Sequence, residues 1–248
     1  MSETVSSGLT STGISVTTGE VGSIYGTAVS FTVSNGGHEI LSGGTTVSTT
    51  VDRGGDQVVY SGGTASYTTL SGAPFSGGIE YVSSGGRAIS TTVGRNADQI
   101  LYADATASDT TVTGTAFGGG TQFVSAAGTA ISTTLAFDTV EDVYSGGTTS
   151  DTTVNGGGEE FIFGSGTASF TTVAADGNES IEGTTDSTTI ASGGVEYVDF
   201  DGRASGTIVD NGGYQVVSSF GSATSTIVNL GGVIDIAHLA YALGDRRR

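Results

Sequence analysis

The chain has no cysteine, no tryptophan and no lysine, and only one proline and one methionine among 248 residues. Without cysteine, neither a disulfide framework nor a thiolate metal site can form. A single proline beside 43 glycines rules out both collagen and a proline-rich linker. No apolar run approaches the length of about 18 residues that a membrane helix needs, so no membrane insertion is expected. Only 13% of residues are charged; the seven basic ones are all arginine, and Arg246, Arg247 and Arg248 end the chain. The net charge of −18 repels nucleic acid and anionic lipid, and both are set aside as partners. Met1-Ser2-Glu3-Thr4 lacks the basic-then-apolar start of a secretory signal peptide.

What the chain does have is a period. Aliphatic residues closing Thr-Thr-Val-like triplets recur at Val33, Val51, Leu70, Val93, Val112, Leu135, Val154, Val173, Ile190, Val209 and Val228. The common step is 19 residues; two steps are four longer, and those into Val51 and Ile190 are shorter. A fixed period of this size denotes a solenoid or an array. Each repeat of such a chain contacts only its neighbours, so the length forms one quasi-one-dimensional unit. Glycine pairs bound short apolar segments that read as strands, Gln57-Val58-Val59-Tyr60 and then Ala65 to Leu70.

Column by column, the repeat separates inside from outside. Leu41, Val59, Val82, Leu101, Val124, Val143, Ile162, Ile181, Val198, Val217 and Ile236 are always aliphatic and belong in a core. The residue before each varies freely, and strand alternation turns it outward. Thr49, Thr68, Thr91, Thr110, Thr133, Thr152, Thr171, Thr188, Thr207 and Thr226 lie two residues before the aliphatic anchors, on the inward face. These columns predict an all-β, single-stranded parallel β-solenoid of about 12 rungs, a right-handed β-helix by the crossover preference. Residues 1–32 are expected to be atypical N-terminal capping rungs and 33–232 the repeat array. Residues 233–248 are expected to be a C-terminal cap and basic tail rather than a rung, with Leu239, Tyr241 and Leu243 over the open core.

The chemical oddity is a Gln/Glu column: Glu39, Gln57, Glu80, Gln99, Gln122, Glu141, Glu160, Glu179, Glu196, Gln215. Parity aims it inward or at a corner, and solvated side chains at a corner are the leading expectation. The alternative is a carboxylate ladder, because stacked like charges raise their pKa values or demand a cation. Glu141, Glu160, Glu179 and Glu196 are then weak candidates for Ca²⁺, the only cofactor considered. The two longer rungs carry inserts with Phe75 and Phe117, which either fold back over the solenoid wall or offer a contact site. Arg53 and Arg95 are expected to balance nearby acids such as Asp52, Asp56 and Asp98. Enzymatic activity is not expected, because His38 and His238 lie about ten rungs apart and no clustered acid/base set appears. Ice binding is disfavoured, because Tyr67, Asp109 and Phe170 interrupt the outward Thr lattice.

The repeat, best developed in Gly54-Gly55-Asp56-Gln57-Val58-Val59-Tyr60-Ser61-Gly62-Gly63-Thr64-Ala65 and in 77–93, resembles that of AIDA-type autotransporter adhesin passengers of Gram-negative bacteria. The resemblance covers roughly residues 33–232, and no C-terminal β-barrel translocator follows. It implies a secreted or cell-surface β-solenoid acting in adhesion, self-association or biofilm and matrix formation. It also implies O-glycosylated serines, with Ser42, Ser61, Ser83, Ser125, Ser145 and Ser218 as candidates. The contact-face candidates are Phe75, Phe117, Tyr81, Phe123, Phe161 and Tyr197, flanked by Tyr60, Tyr102, Tyr144 and Phe163. The expected partners are further copies of the chain, packed laterally or end to end, or cell-surface and matrix glycans. A carbohydrate-binding or matrix-anchoring module is the alternative function.

Overall fold

A computed structural model describes residues 2–74 and 76–247. Among the described residues regular structure is entirely β: three parallel sheets of 13 strands each run the length of the chain, and two small antiparallel hairpins form separate two-stranded sheets. The protein is a parallel β-solenoid of 13 rungs, one more than the spacing predicted. At about 4.8 Å per rung the stack is about 58 Å long.

Each rung contributes three strands. In the fourth rung they are Asp56–Val59, Thr64–Ser66 and Thr69–Leu70. The segment expected as one strand, Ala65 to Leu70, is broken by Tyr67, whose φ is +57°. The same corner is left-handed in every described rung from Ser30 and Ser48 through Ser90, Asp109, Ser132, Asp151 and Phe170. One left-handed residue turns the chain between the second and third sheets. It is also why Ala65 and Thr68, an odd number of residues apart, both point inward.

The glycine pairs divide their labour. The first member takes a positive φ, as Gly62 (+73°) and Gly212 (+78°) do. The second lies against the previous rung: a Cβ on Gly213 would sit 2.5 Å from the Ile190 carbonyl oxygen. The first role therefore tolerates Asn96 or Asp176, which adopt the left-handed region more readily than other non-glycine residues, while the second is a matter of space.

The aliphatic and Thr columns are buried as expected except at Ile236, which is 44% exposed because it lies in the last rung of the stack. The ends follow the same plan. Residues Glu3–Val5, Thr10–Thr12 and Ser15–Val16 begin the three sheets. Val233–Ile236, Tyr241–Leu243 and Arg246–Arg247 extend them as a thirteenth rung. The tail is thus a rung and not a separate cap. Leu239, Tyr241 and Leu243 are 55–67% exposed, because they occupy outward positions rather than folding over the core.

Candidate contact surface and the polar ladder behind it

The inner face of the first sheet carries the Gln/Glu column, and all ten residues are 0% exposed. The expectation of solvated corner side chains is therefore wrong. In-register pairing, Gln57 with Glu39 and Glu80 for example, stacks the side chains into a ladder. Amides satisfy it by donating to the rung before. Gln57 Nε2 lies 2.6 Å from Glu39 Oε2, Gln99 Nε2 2.6 Å from Glu80 Oε2 and Gln122 Nε2 2.6 Å from Gln99 Oε1. The inward Thr column supplies the second donor. Thr68, Thr91, Thr110, Thr133, Thr152, Thr171, Thr207 and Thr226 each donate to the ladder residue 11 positions earlier, at 2.8–3.2 Å. Packing seals the ladder at both ends. Gly22 pairs with Glu39 and leaves room for the buried Phe31 ring, while Ile234 pairs with Gln215.

Burial dominates the acid–base state of these acids. It pushes Glu39 up to about 8 and raises Glu80. Glu160 and Glu196 are raised to about 7, held there by Thr hydroxyls and by their neighbours. Glu141 and Glu179 go well above the ordinary carboxyl value, through burial and then the charge of adjacent glutamates. Glu141 and Glu179 therefore keep their protons. Among the described residues no group of three or more His, Cys, Asp or Glu side chains is arranged to hold a metal ion. The Ca²⁺ candidates Glu141, Glu160, Glu179 and Glu196 stand one above another, facing hydroxyls and each other's protons rather than converging on a cation.

The outer face divides the expected contact residues into two groups. Phe123 stacks on Tyr144 (centroids 6.4 Å), Tyr144 on Phe163 (5.1 Å) and Phe163 on Phe161 (5.8 Å), all within 15° of parallel. Their faces are occupied by one another, so Phe123 and Phe161, chosen as contact residues, instead staple three rungs together. Tyr81 is half-buried beside Asp56 and Asp98. Among the exposed aromatics are Tyr197 (39% exposed), Phe117 (79%) and two at the left-handed corner, Tyr67 (63%) and Phe170 (58%). Sequence reasoning passed over Tyr67 and Phe170 as contacts. A bulky residue in the left-handed region is uncommon, and the signal for that corner is the Ser, Asp or Gly that fills it in most other rungs.

Phe117 tops the second insert, the hairpin of Gly114–Thr115 and Gly118–Gly119. The first insert is the hairpin of Gly72–Ala73 and Ser76–Gly77; Phe75 lies outside the described residues. The turn of the rung between them ties both hairpins down. Asn96 Nδ2 donates to the Ala73 carbonyl (3.2 Å), and Arg95 Nε donates to the Phe117 carbonyl (3.1 Å) with its guanidinium 5.8 Å from the Phe117 ring centre. Arg95 thus braces an exposed aromatic rather than an acid. Beside the first hairpin lies a cleft of about 570 Å³ lined by His38, Asp56, Ser76, Ile79, Asn96 and Asp98. His38 Nδ1 contacts Asp56 Oδ1, and partial burial raises the Asp98 carboxyl.

The candidate glycosylation serines also separate. Ser42, Ser61 and Ser145 are exposed, and Ser125 and Ser218 are half-buried. Ser83 is 2% exposed, because its stack position lies between Tyr60 and Tyr102; it is closed to modification.

The chain matches no protein-family model and no curated protein. Among solved structures it is similar to the crystal structure of a TibA fragment hyper-glycosylated by TibC, with 28% identity over 98% of both chains and a TM-score of 0.67. The likeness runs the full length of the solenoid. The chain is a repeat solenoid with the build of that fragment.

Proposed function

We propose that this chain is a structural, non-enzymatic adhesive rod, secreted or carried on the surface of a Gram-negative bacterium, that associates with further copies of itself. The observation that carries the reading is full-length similarity to a hyper-glycosylated solenoid fragment, joined to exposed aromatics on an otherwise polar stack. Tyr67, Phe117, Phe170 and Tyr197 supply apolar contacts. Ser42, Ser61 and Ser145, with Ser125 and Ser218, are the positions for O-linked sugar, and a sugar coat would tune how closely rods approach. Electron microscopy across a concentration series tests association: bundles or filaments that grow with concentration support it, and isolated rods at every concentration refute it. Intact-mass measurement after co-expression with TibC tests modification, and an unchanged mass removes it.

Glycan binding is the second reading, favoured by the cleft beside the first hairpin. Its carboxylates and amide suit neutral hydroxyl-rich sugars, and its charge disfavours acidic ones. Binding on a glycan array that is lost in both Asp98→Asn and Phe117→Ala would favour it over self-association.

A further inference from the structure

The rung of Glu179 breaks most completely the rule that satisfies the ladder. In a regular rung four residues, such as 60–63, link the first strand to the second. Between Asn178–Ile181 and Thr184–Asp186 there are only two, Glu182 and Gly183. The shorter turn places Thr188 nine positions after Glu179 instead of 11. Both Glu179 carboxyl oxygens and the Thr185 and Thr188 hydroxyl oxygens then lack a hydrogen-bond partner, although all are buried. The turn of 42–44 is one residue short, and there too Thr49 Oγ1 and Glu39 Oε1 are left over. The one other two-residue turn, Tyr25-Gly26, avoids the problem by placing Gly22 and Phe31 at the ladder and Thr positions. The Glu179 rung combines the short turn with an acid.

We propose that the rung from Asn178 to Ile190 is a proton-gated joint, which keeps the rod continuous while Glu179 is protonated and loosens when it ionises. The chemistry follows from what faces the carboxyl. Above and below stand Glu160 and Glu196. The second sheet presents Ala168, Thr185 and Ala204, and the third presents Thr171, Thr188 and Thr207 with Val173, Ile190 and Val209. Among the described residues no basic side chain is buried anywhere in the core. An ionised Glu179 thus meets two carboxyls and no positive charge, at a rung where the Thr column fails to donate and both carboxyl oxygens lack a partner. Protonated, it donates to a neighbouring carboxylate and the stack closes. Opening here would bare the strand edges on either side, Glu159–Ile162 and Val195–Val198, for pairing with another chain.

The test is hydrogen–deuterium exchange of the intact protein, corrected for intrinsic rates, at pH 5.5 and pH 8.5. Glu179→Gln should fold, because glutamine occupies the same column at Gln57, Gln99, Gln122 and Gln215 and donates to the preceding rung. In the native chain, peptides over 174–195 should lose protection by about tenfold or more on raising the pH, while those over 55–125 change less. Glu179→Gln should hold protection at both values. Glu141→Gln, which alters an acid that keeps its Thr152 bond, should relieve the loss by much less. Uniform loss along the rod, no loss, persistence of the loss in Glu179→Gln, or equal relief by Glu141→Gln would each overturn the joint.

Discussion

The ladder from Gln57 to Gln122 and the ladder from Glu141 to Glu196 occupy the same place in the same rung, yet they are held by different means. In the first, every glutamine donates to the rung before it and accepts from a threonine. In the second, no amide intervenes until Gln215 reaches Glu196 at 2.5 Å. An amide carries donor and acceptor together, so an amide ladder satisfies itself at any pH. A carboxyl ladder does so only when part of it is protonated. The apolar packing differs as well: one continuous cluster of buried residues runs from Val5 to Val154. Beyond it the core divides into Val143 to Ala223 on one side and Val173 to Val228 on the other. The acid half is therefore the part of the rod with less redundancy and more dependence on protons.

The largest expected effect is that of pH itself. The buried acids have folded pKa values above their unfolded ones, so their contribution is fully present below about pH 4.5 and is lost as pH rises through about 7 for Glu160 and Glu196 and about 8 for Glu39. Forcing Glu160 or Glu196 to ionise removes about 3 kcal/mol each. The melting temperature should therefore be higher at pH 5 than at pH 8.5, in fixed salt. A melting temperature that climbs toward pH 8.5 would refute protonated acids in the core.

Next in size is a transplant of the acid pattern into the amide half. Gln99→Glu removes the donor to Glu80 Oε2 and sets two carboxyls against each other at a buried site. It should lower unfolding stability by about 3 kcal/mol at pH 8 and by about 1 kcal/mol at pH 5, read from guanidinium titrations. An equal loss at both pH values would mean that shape, not charge, distinguishes the halves. Smaller again is the outer staple. Tyr144→Ala removes two ring contacts, with Phe123 and Phe163, and should destabilise by about 1–2 kcal/mol with no change in pH dependence. A loss below about 0.5 kcal/mol would return these rings to the list of free contact faces.

These differences were unevenly legible in the sequence. The period, the aliphatic column and the Thr column identify the solenoid and its core, because a stacked rung repeats its burial at every step. The third sheet was hidden, because Ala65 to Leu70 reads as one strand through Tyr67, although Ser, Asp or Gly, all turn formers, fill that corner in most other rungs. Parity aimed Glu141 and its neighbours inward correctly. The wrong step was energetic: unpaired acids were expected to seek water, whereas neighbouring carboxyls, amides and threonines share protons among themselves. The short step into Ile190 is visible in the repeat, but its meaning required the 11-residue geometry of the Thr bonds. Ser83 was misjudged because its column holds tyrosines in the rungs on either side.

The smallest effect on stability belongs to the residue with the most to say about function. Phe117 is 79% exposed, and its hairpin is anchored through backbone atoms: Arg95 binds the Phe117 carbonyl, and Thr115 Oγ1 accepts from the Phe117 amide at 3.3 Å. Truncating the ring leaves those bonds in place, so Phe117→Ala should shift stability by no more than about 0.5 kcal/mol. What it removes is an apolar surface braced by a guanidinium at 5.8 Å, a pairing that costs the rod exposed area and returns little to the fold. If rods associate through this knob, Phe117→Ala should weaken sedimentation-detected association while Tyr144→Ala, with its ring faces already covered, should not. Equal weakening by both would shift the contact to the first sheet's outer face. No weakening by Phe117→Ala would leave the left-handed corner, with Tyr67 and Phe170, as the surface to truncate.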